Sequence, residues 1–184
     1  MKGEQELTGR GVSYCATCDG AFFQNRDVIV IGGGNTAIED AIYLSGICSQ
    51  VFLVHRRDTF RAEETLIRRM KTIKNIHTIM DSGVTEILGE QVVEAVRIEN
   101  LKTKEQYIQN VSGVFIAVGM IPQNEIFQNL LKLDDAGYII ADERCRTNIE
   151  GIFAAGDCRT KTVRQLVTAA ADGAVAALKV KDKK

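Results

Sequence analysis

Long apolar runs, an excess of one charge, proline and histidine are all scarce in this sequence. No stretch approaches the roughly 20 consecutive apolar residues of a membrane-spanning helix, and residues 1–10 are polar, without the apolar centre of a secretory signal. A cytoplasmic protein with no membrane contact is expected. Lys and Arg number 23 against 24 Asp and Glu, so the overall basic footprint of a nucleic-acid binder is missing. His55 and His77 stand alone, and no second Cys-x-x-Cys follows the first, which leaves any zinc site short of ligands and predicts no metal. The one proline, Pro122, marks the expected joint in a chain without internal repeats.

What is present begins with a cysteine pair. Cys15 and Cys18 are close enough for a reversible disulfide, and in a reducing compartment such a pair is catalytic rather than structural. Cys48, Cys145 and Cys158 read as free thiols. Asp19 follows the pair directly and has two readings, a proton carrier during thiol exchange or a turn residue before Gly20.

A nucleotide-binding turn comes next. The apolar run Val28 to Ile31 enters Gly32-Gly-Gly-Asn35-Thr36-Ala37, which fits G-x-G-x-x-A. Gly32 permits the tight turn, Gly34 admits a pyrophosphate, and Ala37 lets the following helix pack close to the strand. Ile38, Ala41 and Ile42 continue at helical spacing until Gly46. The helix N-terminus offers free N–H groups to phosphate. A second strand, Gln50 to Val54, ends in His55-Arg56-Arg57-Asp58-Thr-Phe-Arg61, where an NAD-binding fold would place an acid for the ribose hydroxyls. Guanidinium forks suit a 2′-phosphate, which favours NADPH over NADH. The plainer reading is a solvated basic turn with Asp58 as its local partner.

Residues 63–74 read as a helix, and Ile76–Met80, Val84–Leu88, Val92–Glu99 and Gln106–Val111 as an antiparallel meander. Val114 to Val118 is a buried-type strand closing at Gly119. After Pro122, Tyr138–Ala141 and Ile152–Ala155 are strand candidates, and a helix runs from about Val163 to Lys179. A tail of this size buries too little surface to stand alone.

In order and at matching intervals, Tyr14-Cys-Ala-Thr-Cys-Asp-Gly, Gly32-Gly-Gly-Asn-Thr-Ala, His55-Arg-Arg-Asp-x-Phe-Arg and Ala154-Ala-Gly-Asp with Arg164-Gln165 resemble bacterial-type thioredoxin reductases. The resemblance implies a homodimeric α/β flavoprotein in which NADPH reduces FAD, FAD reduces the cysteine pair, and the pair reduces thioredoxin. Cys18 would then face the flavin, Cys15 would attack the thioredoxin disulfide, and Asp19 would carry the proton. Gly32, Gly34, Asn35, Thr36, Ala37, His55, Arg56, Arg57 and Arg61 would hold NADPH. Gly156 and Asp157 would hold the ribityl or phosphate part of FAD, and Arg164, Gln165 and Leu166 would lie beside the flavin.

Such reductases begin with a separate glycine-rich turn for the FAD pyrophosphate, whereas fourteen residues precede Cys15 here. The expectation is a Rossmann-like NADPH-binding domain with an antiparallel meander over residues 1–119, and the C-terminal piece of an FAD-binding Rossmann-like domain over 120–184. The missing N-terminal FAD half would be needed for function. Reductases of a peroxiredoxin or another thioredoxin-like protein share this pattern. So, from another class, does a non-catalytic NADPH-binding fragment.

Overall fold

A computed structural model describes residues 1–181, which divide into two compact units, Met1–Gly119 and the residues from Met120 onward. The first unit is built on a five-stranded parallel sheet. Its strands are β1 (Val12–Ser13), β2 (Val28–Gly32), β3 (Val51–Val54), β4 (Ile76–Ile79) and β8 (Gly113–Ala117), in the order β1-β8-β2-β3-β4. The central strands are continuous apolar runs because both sheet faces are covered. Successive side chains of β2 alternate between the faces: Val28 and Val30 point into one core cluster and Ile29 into the other.

On the first face, α2 (Asn35–Ser45) lays Ile38, Ala41 and Leu44 against Val30, Leu53 and Phe115. Beside it packs α3 (Glu64–Lys71), of which Met70 is the buried residue. A short turn of helix, α1 (Ala16–Asp19), docks there through Ala16, and the 3₁₀ turn that follows it docks through Phe23. The second face is covered by β5 (Ser82–Leu88), β6 (Ala95–Asn100) and β7 (Gln106–Asn110), an antiparallel sheet contributing Val84, Val96 and Ile98. This is a Rossmann-like α/β unit.

One expectation about the sheet is corrected. Residues 76–80 read as the first strand of the meander, but β4 pairs in parallel with β3, Val51 opposite Ile76 and Val54 opposite Ile79. The helix α3 makes a crossover, which returns the chain parallel to the strand it left. The change of sheet falls at Asp81, whose φ of 50° turns the chain. Val92, expected within a strand, lies exposed in the turn before β6, where Gly89 adopts a φ of 148° with its α-carbon against the Val92 carbonyl.

The second unit has a small core, Leu131, Ile139 and Ala154, and, among the described residues, a 3₁₀ turn at Glu125–Phe127 and one α-helix, α4 (Leu166–Lys181). The expected strands at 138–141 and 152–155 form only isolated bridges, Ile139 to Leu133 and Arg159, and Phe153 to Arg146. Positive-φ residues at Gly137, Cys145, Gly151 and Gly156 interrupt the chain before any ladder can extend. The helix begins at Leu166 rather than Val163: the Thr168 hydroxyl accepts from the Gln165 N–H and fixes the first turn there. No helix among the described residues is long and apolar enough to cross a membrane.

Candidate functional site

Chain order reverses beside β2: β3 and β4 follow on one side, β8 on the other. Such switch points leave a crevice beyond the carboxyl ends of the strands, where ligands bind in open α/β sheets. Here the crevice is a cleft of about 480 Å³ that joins the glycine turn, Thr36, His55, Arg56 and Arg61 to residues 117–119 and the start of β5.

Each position of the turn has a distinct steric reason. A Cβ on Gly32 would run into the Ala117 carbonyl and the Ala37 Cβ, so strand, helix and neighbouring strand meet there. Ala37 is fully buried, the smallest side chain that completes that contact. A Cβ on Gly34 would meet nothing within 4 Å, so no protein packing requires glycine there. Gly34 lines the cleft, and the space beside it is open. Gly34 is the N-cap of α2, whose first N–H groups are free to receive an anion.

His55 lies beneath the turn rather than in solvent. Its side chain touches the α-carbon side of Gly33, stacks on Phe60 at 5.4 Å, and its Nε2 pairs with the Thr59 carbonyl at 3.1 Å. Burial holds the imidazole below its usual pKa, and the three nearby guanidiniums act in the same direction. The neutral imidazole is thereby favoured, and the ring supports the turn from below.

Arg56, Arg57 and Arg61 are exposed, and among the described residues none of the three makes an ion pair. Asp58, the local partner of the plainer reading, instead faces Lys102 at 3.9 Å, and Lys102 is bound to Asp81 at 2.9 Å. The Arg61 segment is tied to the turn by its N–H, which donates to the Gly33 carbonyl at 2.8 Å. Asn35 is placed differently from a ligand contact. Its side chain bonds Glu63 twice, Nδ2 donating to the carboxylate at 3.0 Å and Oδ1 accepting the Glu63 N–H at 2.9 Å.

The cysteine pair stands on the same unit. Strand β1 runs parallel to β8 and delivers Cys15 as the N-cap of α1, and Cys15 and Cys18 are joined as a disulfide. Cys18 is exposed and Cys15 half-buried. Gly20 allows the close approach of this segment to α2, since a Cβ would stand 2.9 Å from Leu44. Asp19 accepts a 2.6 Å hydrogen bond from the Ser13 hydroxyl, which also accepts the Cys15 N–H at 3.1 Å. Ser13 thus joins the acid to the cysteine. A residue six positions upstream gives no sequence pattern that would have revealed it.

In the second unit, Asp157 and Arg164 line a cleft of about 290 Å³ with Tyr138, Asn124 and Pro122. Arg164 lies over the Tyr138 ring at 3.8 Å, with a buried Nε that has no hydrogen-bond partner among the described residues. Gln165 closes the first turn of α4 through Thr168, and Leu166 is 88% exposed. The Gly156 N–H donates to Asp172 at 2.9 Å, and Arg159 and Lys161 bond the same carboxylate. These three charged residues were not anticipated. The one available signal was a lone acid within an alanine-rich helix.

The family model for pyridine nucleotide-disulphide oxidoreductases matches residues 1–173. A thioredoxin reductase of Peptoclostridium acidaminophilum is 48% identical over 181 residues, covering 95% of this chain and 58% of its own length. One from Listeria monocytogenes is 49% identical over 175 residues, covering 95% and 55%. The solved thioredoxin reductase of Streptococcus pyogenes superposes with a TM-score of 0.90 at 47% identity, covering 94% of this chain and 57% of that one. The chain therefore spans a little under three fifths of the length of these relatives. With its match running through both units, it belongs to the pyridine nucleotide-disulphide oxidoreductase family.

Proposed function

We propose that the chain is the NADPH-binding and disulfide-bearing part of a thioredoxin reductase, with residues 120–184 as the C-terminal part of its FAD domain. The observation that carries this is the presence, on one folded unit, of a disulfide beside an acid and a glycine-turn cleft edged by unpaired guanidiniums. The relatives named above are thioredoxin reductases, which supplies the substrate class.

NADPH fits the first cleft. Gly34 leaves room for the pyrophosphate at the start of α2, Thr36 lines the approach, and Arg56, Arg57 and Arg61 are free to take the 2′-phosphate by charge-assisted bonds. His55 holds the turn from below, and the Asn35 backbone opens the helix. FAD fits the residues of the second unit to the extent that Asp157 is exposed at a cleft and Arg164 carries an unpartnered Nε. A bound flavin supplies the two-electron relay between the nicotinamide and the disulfide.

The chemistry of the chain's own residues is thiol exchange. Reduction opens the Cys15–Cys18 bond to two thiols. The Cys15 thiolate attacks the thioredoxin disulfide, one thioredoxin sulfur leaves as a thiolate, and Cys18 then displaces the second to regenerate the intramolecular bond. Asp19, held by Ser13, carries the proton that the leaving thiolate takes up. Cys48, Cys145 and Cys158 remain thiols, as a reducing cytoplasm requires. The working enzyme is a homodimer that includes an N-terminal FAD half.

Expression of the chain alone and together with the segment its relatives carry before it tests this reading. The chain alone is expected to be colourless and inactive; the two together are expected to be yellow and to reduce thioredoxin with NADPH. A yellow, active chain by itself would show that the flavin binds elsewhere.

A further inference from the structure

We infer that Asn35 and Glu63 form a clamp that sets cofactor selectivity by positioning Arg61; this rests on the reading that the cleft takes NADPH. The two residues are 28 positions apart, one opening α2 and the other at the N-cap of α3. Glu63 makes no side-chain capping bond to its own helix. Its carboxylate is turned back to accept from Asn35 Nδ2 at 3.0 Å, while its N–H donates to Asn35 Oδ1 at 2.9 Å. Two positions earlier, the Arg61 N–H donates to the Gly33 carbonyl at 2.8 Å. Three bonds thus fasten residues 61–63 to residues 33–35, with Arg61 at one end of the fastened segment.

The opposite end of the arginine loop is fixed by other means. His55 extends β3 with its N–H on the Ile79 carbonyl, and the Asp81 N–H donates to the Arg57 carbonyl. Arg56 and Arg57 are therefore set by the sheet, whereas Arg61 is held by its own N–H on Gly33 and, on its other side, by the clamp. The clamp has a second, electrostatic consequence. A Glu63 carboxylate released from Asn35 stands two residues from Arg61, where it can pair with the guanidinium in competition with a phosphate. Asn35 holds that charge away. It is a positioning residue: its side-chain amide is consumed by Glu63, and its effect on the cofactor passes through Arg61.

The test is binding of NADPH and NADH by the purified chain and its variants, followed by calorimetry, with a thermal melt of each variant. Asn35→Ala, which frees the carboxylate, is expected to weaken NADPH about five- to tenfold, Glu63→Ala, which removes it, to weaken NADPH less, each to weaken NADH less than twofold, and the double variant to be no worse than Asn35→Ala alone, as for loss of one hydrogen-bonded unit. Glu63→Gln keeps an acceptor for Asn35 Nδ2 and is expected to retain the wild-type ratio. A merely structural role would lower the melting temperature and weaken both cofactors alike. Equal weakening of both, or an unchanged NADPH to NADH ratio in both alanine variants, overturns the clamp. A wild-type chain that does not discriminate the cofactors, or an Arg61→Ala chain that binds NADPH as before, overturns the reading of the cleft and the clamp with it.

Discussion

Replacing Asp172 by Asn removes one charge from a group with nowhere to send its partners. The carboxylate takes two bonds from Arg159 and one from Lys161, each at 2.8 Å, and one from the Gly156 N–H at 2.9 Å. The Arg159 and Lys161 side chains are 5% and 9% exposed, so neither cation is solvated when the charge goes. Arg159, with help from Lys161 and the Gly156 N–H, holds the Asp172 carboxyl well below the usual range. Breaking a buried pair by removing one partner costs about 3–5 kcal/mol. Asparagine keeps one acceptor oxygen, so the lower end, about 3 kcal/mol, is expected. That energy corresponds to roughly a 100-fold rise in the opening of the second unit. Cys145 reports it directly: the thiol is fully buried and donates to the Asp172 carbonyl at 3.5 Å. Its modification by a thiol reagent, resolved by peptide mass, should accelerate roughly 100-fold. Cys48 in the first unit should keep its rate and serves as the control. A carboxyl with a depressed pKa contributes stability above its unfolded value and loses it as pH falls, so the difference between the proteins should shrink below about pH 4. A Cys145 rate within threefold of wild type at neutral pH would refute the reasoning.

Burial, and secondarily Glu39, raises the Asp40 carboxyl to about 6. The folded state therefore favours its protonated form, and stability falls as pH rises from about 4 through 6, by roughly 1–3 kcal/mol for a partly buried group. Asp40→Asn should raise the urea midpoint of the first unit at pH 8 and leave it unchanged at pH 4; the same gain at both values would contradict this. Gly33→Ala drives a methyl into the His55 ring and should cost about 1–3 kcal/mol in a thermal melt, weakening NADPH and NADH alike because the whole turn moves. In the protein extended by its FAD half, Cys15→Ser should keep NADPH-dependent bleaching of the flavin band and lose thioredoxin reduction. Loss of both would reverse the assignment of the two cysteines.

What the sequence shows and hides follows from which contacts are local. Strands β2, β3 and β8 are legible because burial on both faces demands unbroken apolar runs, and the glycine turn because each of its small residues answers a steric constraint within a few positions. Strand β4 is not, since its two isoleucines suit an edge strand of either sheet and only the crossover through α3 decides between them. Cys15 and Cys18 are neighbours in sequence, and their bond is readable as such. Asn35 invites a phosphate, whereas its partner Glu63 lies 28 residues away and no periodicity links them. The Asp172 network is hidden for the same reason, its members being spread from Gly156 to α4. The tail at 138–155 carries strand-like composition, but hydrogen-bonded ladders need neighbours, which composition does not supply.

Titration of the purified chain with NADPH and NADH, repeated with Arg56 and Arg57 both replaced by Ala, tests the central claim most directly. Charge-assisted bonds to a 2′-phosphate predict that the double replacement weakens NADPH by about 2–4 kcal/mol, roughly 30-fold or more, while NADH binding stays nearly as it was. Equal losses for the two cofactors, or none for either, would contradict the account.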